Sequence, residues 1–145
     1  MATPVESANL ILKLYELRRE PIMREARNFI FTFNPRTVEE YMAGMMGPNS
    51  GHIRMVVSYW EMASSFVASG AIDAAMFEAS AGEHIVVFGK LEPILPQLRE
   101  AMGNPNMLKN LEQVCTSAPG GLERVHAIAE RMRNMAAARP AAAGK

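Results

Sequence analysis

With 145 residues, 49% of them hydrophobic and 21% charged, the chain has the composition of one globular domain with a core of its own. Its 15 basic side chains balance 15 acidic ones, which excludes a protein drawn by net charge onto nucleic acid or an anionic membrane. A single cysteine, Cys115, excludes an intrachain disulfide and fits a reducing, cytoplasmic setting.

The N-terminus has no basic segment ahead of an apolar one, and Lys13 and Glu16 interrupt its apolar positions, so no signal peptide is read there. No stretch reaches the ~18 consecutive apolar residues of a membrane span, and no membrane partner is expected. Thr3-Pro4-Val5-Glu6 opens the first helix: Thr3 caps, Pro4 takes the first helical position and Glu6 completes a capping box. Leu10, Leu14 and Leu17 keep the helical period to about residue 19. Pro21 then starts a new helix or kinks the old one, and Asn34-Pro35 ends the second helical stretch. Thr37 and Glu40 form a second capping box.

After the turn-rich Gly47-Pro48-Asn49-Ser50-Gly51, with Ser50 the candidate cap, comes the stretch that organises the chain. Residues 52–70 read as one long helix, apolar on most of its circumference, with Trp60 at its middle. Such a helix belongs among other helices, swallowed on nearly every side. Asp73 caps the next helix. Ile85-Val86-Val87-Phe88 alone suits a strand, but Phe88, Leu91, Leu95, Leu98 and Met102 continue at helical spacing, and no partner strand exists. The segment is therefore helical, broken near Pro93 and Pro96. Met107 to Cys115 and Leu122 to Met132 give two more amphipathic helices, and 140–145 an Ala-rich flexible tail. The expected fold is an all-α bundle of about six to eight helices, one domain over 1–139, around the central helix.

Few side chains suggest chemistry. Arg54, Ser58, Glu61 and Ser65 share a polar stripe on the central helix. A carboxylate on a buried helix needs a partner. Glu61 is therefore either one end of an ion pair fixing helix register, with Arg99 or Lys90, or the polar wall of an interhelical pocket. In the second case Arg54 clamps an anion and His84 orients the ligand. His52, His84 and His126 have no metal-ligand spacing, and Glu83-His84 alone is no motif, so no metal and no cofactor are expected. Cys115 lies on an apolar helix face as a small hydrophobe. No GxSxG, GxGxxG or Walker-type loop occurs. Arg18, Arg19, Arg24 and Arg27, interleaved with Glu16, Glu20 and Glu25, read as a solvated face, or alternatively an interface, with Glu20 and Arg24 paired. Residues 113–145 carry five basic and two acidic groups, too slight an excess for a nucleic-acid face.

The order SYWEMASSFVASGAIDAAMF and then PILPQLREAMGNP resembles a bacterial family of helical domains of unknown function, over about residues 52–112. The matching residues are Trp60-Glu61, Gly70-Ala71-Ile72-Asp73, and Arg99 with Pro105. The resemblance implies a helical fold and assigns no activity, cofactor or catalytic residue. It also implies that Glu61 and Arg99 face each other across two packed helices. Members of that family often begin with a membrane helix, which this chain lacks, so anchoring does not carry over. The function expected on these grounds is a non-catalytic helical interaction module that forms a homo-oligomer. The alternative is a small-molecule sensor or enzyme with a pocket near Glu61.

Overall fold

A computed structural model describes residues 2–138. The Ala-rich tail expected at 140–145 lies outside the described residues. Within them the chain is all-helical, with no strand. The helices are α1 (Pro4–Arg18), α2 (Pro21–Thr32), α3 (Val38–Met46), α4 (Ser50–Ala68), α5 (Ala74–Ser80), α6 (Glu83–Leu91), α7 (Leu95–Ala101), α8 (Lys109–Thr116) and α9 (Gly121–Ala138). A 3-10 turn at Glu92–Ile94 joins α6 directly to α7. Taken as one broken helix around Pro93 and Pro96, these segments bring the number of helices to eight. Ile85 to Phe88 is helical, as the longer period required.

Most helix ends follow from local chemistry. Thr3 and Glu6 make both bonds of the capping box, at 3.0 and 3.1 Å. Asp73 accepts from the Met76 amide at 2.9 Å. Gly70 ends α4 in the left-handed region, at φ 84°, where a side chain is disfavoured. Three expectations need correction. Glu20 accepts from the Met23 amide at 2.9 Å and so caps α2; its short side chain satisfies an orphan donor before it reaches Arg24. Thr37 caps Glu40, but the Glu40 carboxylate turns to the Arg36 amide at 2.7 Å, leaving the second box half made. Ser50 is already inside α4, whose cap residue Asn49 makes no side-chain bond.

Helix α4 is the centre, packed against α2, α3, α5 and α8. Ile53, Val56, Val57, Tyr59, Trp60 and Ala63 are buried along it, and Trp60 is 1% exposed. It is not enclosed on every side. Arg54, Met55, Ser58 and Met62 form an outward stripe open to solvent. Ser58 on that stripe bonds back to the Arg54 carbonyl at 2.5 Å. The two methionines suit this position because a flexible thioether costs little at a surface.

Polar ties fix the outer helices to this spine. Tyr59 donates its hydroxyl to the Leu14 carbonyl of α1 at 2.5 Å. Ser7, fully buried on α1, accepts the Asp73 amide at the head of α5 at 3.0 Å. Helix α9 lies across α6 and α8. Arg124 holds Glu78 of α5 through two bonds of 2.8 and 2.7 Å, and His126 Nε2 lies 2.7 Å from Glu92 Oε1.

Two glycines make opposite predictions. A Cβ on Gly121 would sit 2.7 Å from the Cys115 carbonyl oxygen, a backbone atom that cannot swing away, whereas one on Gly51 meets nothing within 4 Å. Gly121→Ala is expected to destabilise by about 1–3 kcal/mol. Gly51→Ala should stabilise by about 0.5 kcal/mol or more, through helix propensity and a less flexible unfolded chain. Urea denaturation of both variants checks the signs.

Candidate functional site

The four residues singled out from the sequence do not converge. Glu61 accepts the Asn110 amide at 3.2 Å, the Asn110 side-chain amide at 2.8 Å and the Leu111 amide at 2.8 Å. These backbone donors belong to the first turn of α8, where helical amides have no partner of their own. The cap position of α8 is Leu108, a side chain with no acceptor, held in the left-handed region at φ 57°. Glu61 of α4 therefore supplies the missing cap from another helix, and its charge sits favourably at the positive end of α8.

Arg99 is not its partner. Its Nε donates to the Met107 carbonyl at 2.9 Å and its Nη2 to Glu112 at 3.1 Å. The expected pairing fails because Glu61 is already filled by amides, while Arg99 reaches the connection leading into α8 and a carboxylate on α8 itself. Arg54 points outward on the solvent stripe of α4.

His84 is fully buried, and neither ring nitrogen has a hydrogen-bond partner among the described residues. It packs on Phe77 with centroids 4.8 Å apart and on Trp60 at 5.7 Å. Burial pushes its pKa down from 6.5 to about 4, so the ring is neutral near pH 7. Cys115 is buried next to the His84 carbonyl, and loss of solvent pushes its thiol up to about 12. A thiol in that state is no nucleophile. Among the described residues no group of three or more His, Cys, Asp or Glu side chains is placed to hold a metal ion.

The strongest polar cluster lies elsewhere. Glu83, with a side chain only 9% exposed, accepts Arg27 Nε at 3.1 and 2.9 Å, Arg27 Nη2 at 2.8 Å and Trp60 Nε1 at 3.1 Å. Arg18 lies over the Trp60 ring, its guanidinium carbon 5.3 Å from the centroid. Arg18 and Arg27 are thus half-buried against the body, which narrows the solvated basic face to Arg19 and Arg24. The signal available in sequence was Glu83 itself, an acid opening the apolar run IVVF. A buried acid requires a cation, but which of fifteen it meets is a property of the packed fold. With its oxygens held by fixed donors, Glu83 is suited to holding helices together.

A concave feature lies on another side of the bundle. A groove of about 530 Å³ runs between α6 and α9, and Asn34, Pro35 and Arg36 also line it. None of Glu61, Arg54, His84 or Arg99 lines it. Lys90, on its wall, donates to Asn34 Oδ1 at 2.6 Å and the Phe33 carbonyl at 3.2 Å. It thereby covers the C-terminal end of α2, and burial lowers its pKa to about 8.

A family model for a domain of unknown function, DUF4760, matches residues 3–117. The chain belongs to this family. No curated protein and no solved structure matches it. The DUF4760 match takes in α1 to α8, with the Glu83 cluster and the Glu61 cap, and stops before α9. Among the described residues no helix of this DUF4760 chain is long and apolar enough to cross a membrane.

Glu61→Ala leaves two α8 amides without their acceptor and is expected to cost about 1–3 kcal/mol. Hydrogen exchange should localise the loss, with the Asn110 and Leu111 amides exchanging faster than those of α2. For His84, the folded pKa lies below the unfolded one, so the unfolded chain binds the extra proton. Its contribution is complete above about pH 6.5 and is lost as pH falls toward about 4, amounting to about 3 kcal/mol. His84→Leu should remove that part of the acid sensitivity, as read by urea melts at pH 7 and pH 4.5.

Proposed function

We propose that the protein is a non-catalytic interaction module that self-associates through the outer face of α1. The observation that carries this reading is the exposure of that face. Val5 is 69% exposed, Leu12 58% and Tyr15 49%, on a helix whose inner side buries Ser7 and Leu14. Val5, Ala8, Leu12 and Tyr15 succeed one another at spacings of three, four and three, the spacing of a helix–helix seam. Helix α1 is thus amphipathic twice over, with one seam used by the fold and one left open.

A second copy of α1 is the occupant we favour. Glu6 stands in the first turn and the exposed Arg19 just past the last, so an antiparallel pair brings the acidic start of one helix toward a basic end of the other. Val5 and Leu12 then meet apolar side chains of the partner. The non-catalytic part of the reading is supported by the state of the would-be reactive groups: a buried neutral His84, a protonated buried Cys115 and a Glu61 held by amides. The same reading takes 1–139 as one folding unit in a reducing bacterial cytoplasm, which the single buried cysteine supports. The alternative of a ligand site at Glu61 has little support, since that carboxylate is engaged by α8.

Sedimentation velocity over a wide concentration range tests the proposal. The wild type is expected to associate, and Leu12→Glu should weaken association roughly thirtyfold or more without moving the monomer's melting temperature. A wild type that stays monomeric throughout, or a variant that associates equally well, overturns it.

A further inference from the structure

We propose that the groove between α6 and α9 binds a small amphipathic anion, a molecule with an apolar body and one anionic head. Its volume of about 530 Å³ falls in the range of small-molecule sites. Its making can be traced to particular residues. Gly89 lets α9 come close to α6: a Cβ there would lie 3.2 Å from the Ala129 Cβ. Past that crossing α9 carries small side chains, Ala136 and Ala137, where filling the gap would take large ones. The space left has apolar walls, among them Val86, Pro93 and Met132.

The charge on the lining has one sign. Arg36, Lys90 and Arg133 line the groove, and among the described residues no carboxylate does. Lys90 has its donors engaged with Asn34 and the end of α2, so it acts chiefly by holding the Asn34–Arg36 wall in place. Arg36 and Arg133 are different. Both are exposed, and among the described residues neither guanidinium makes a hydrogen bond or an ion pair. Two forked donors on the lining of an apolar trough suit a carboxylate or phosphate head beside a hydrocarbon body. A cationic head meets three like charges there, and a neutral one gains no charge-assisted bond from either guanidinium. This site is separate from the α1 face and stands or falls independently of self-association.

Isothermal titration of the full chain with four decyl compounds below their micelle concentrations tests the inference: decanoate, decyl phosphate, decanol and decyltrimethylammonium. One saturable site is expected for decanoate or decyl phosphate, and which of the two binds more tightly identifies the head. Decanol and decyltrimethylammonium should bind roughly tenfold more weakly or worse. The double variant Arg36→Ala/Arg133→Ala should lose roughly tenfold in anion affinity while keeping its unliganded melting temperature. Ala136→Trp, at an exposed position, should block the trough and abolish binding with the fold intact. The inference is overturned by absence of saturable anion binding to the wild type. Equal binding of all four compounds overturns it too, as does anion affinity unchanged in the arginine double variant.

Discussion

The carboxylate of Glu83 is the constraint on which the helix arrangement turns. It opens α6, yet it can leave water only if cations and donors from other helices come to it. Arg27 arrives from 56 residues earlier in the chain and Trp60 from 23 residues earlier. Arg27 also donates to the Arg18 carbonyl at 3.4 Å, and Arg18 covers the outer face of Trp60. Four helices therefore share one charge. A buried ion pair of this kind adds little net stability over an apolar replacement, since both charges lose their hydration. Its effect is on uniqueness. Apolar helices slide past one another at small cost, but a one-turn shift of α2 would leave the buried Glu83 without its cation. Loss of one partner alone costs about 3–5 kcal/mol in comparable sites, so the competing packings are well separated from the native one.

The connection into α8 shows the same logic with a backbone group in place of a charge. Leu108 is buried, and it enters the core only by taking a left-handed backbone, at a cost of about 1–2 kcal/mol for a residue with a Cβ. A polar residue there would relieve the strain and cap α8, but would leave the core. The leucine is kept, and the cap comes from Glu61. Arg99 braces the preceding carbonyl at Met107, so the strained turn is clamped from both sides by side chains of α4 and α7. The aromatic-Glu pair on α4 thus has two tasks one residue apart: Trp60 reads Glu83 on one side, and Glu61 holds α8 on the other.

What was legible in the sequence was mostly local. Caps at Thr3, Thr37 and Asp73, the stop at Gly70 and the break at Pro93 all depend on neighbours within four residues, and each is where its chemistry puts it. The central helix and its buried tryptophan were legible because apolar periodicity reports burial. Two kinds of information were not. Partner choice among charges, Arg27 for Glu83 and Glu112 for Arg99, is decided by distances that arise only after packing. The side on which an amphipathic helix is left open is equally hidden. Leu10, Leu14 and Leu17 are equivalent by spacing, yet only Leu14 is buried, because α1 touches the body along a narrow stripe. The same holds for Met55 and Met62, apolar side chains of the central helix that the fold leaves at the surface.

Helix α9 raises a question about the family to which the rest of the chain belongs. It lies beyond the matched residues, yet it buries Val125, crosses α6 at Gly89 and pairs with Glu78 and Glu92 inside the match. The face of α6 that it covers carries Val86 and Gly89, and an exposed apolar face on a short helix is a liability. Any relative whose chain continues differently must cover that face by other means or present it to a partner. In this chain the covering helix does more than hide it. Because α9 closes on α6 at a glycine and then runs on with small side chains, covering and cavity come from the same contact. The groove with its cationic lining is therefore a consequence of how this chain solves a packing problem that the matched region leaves open.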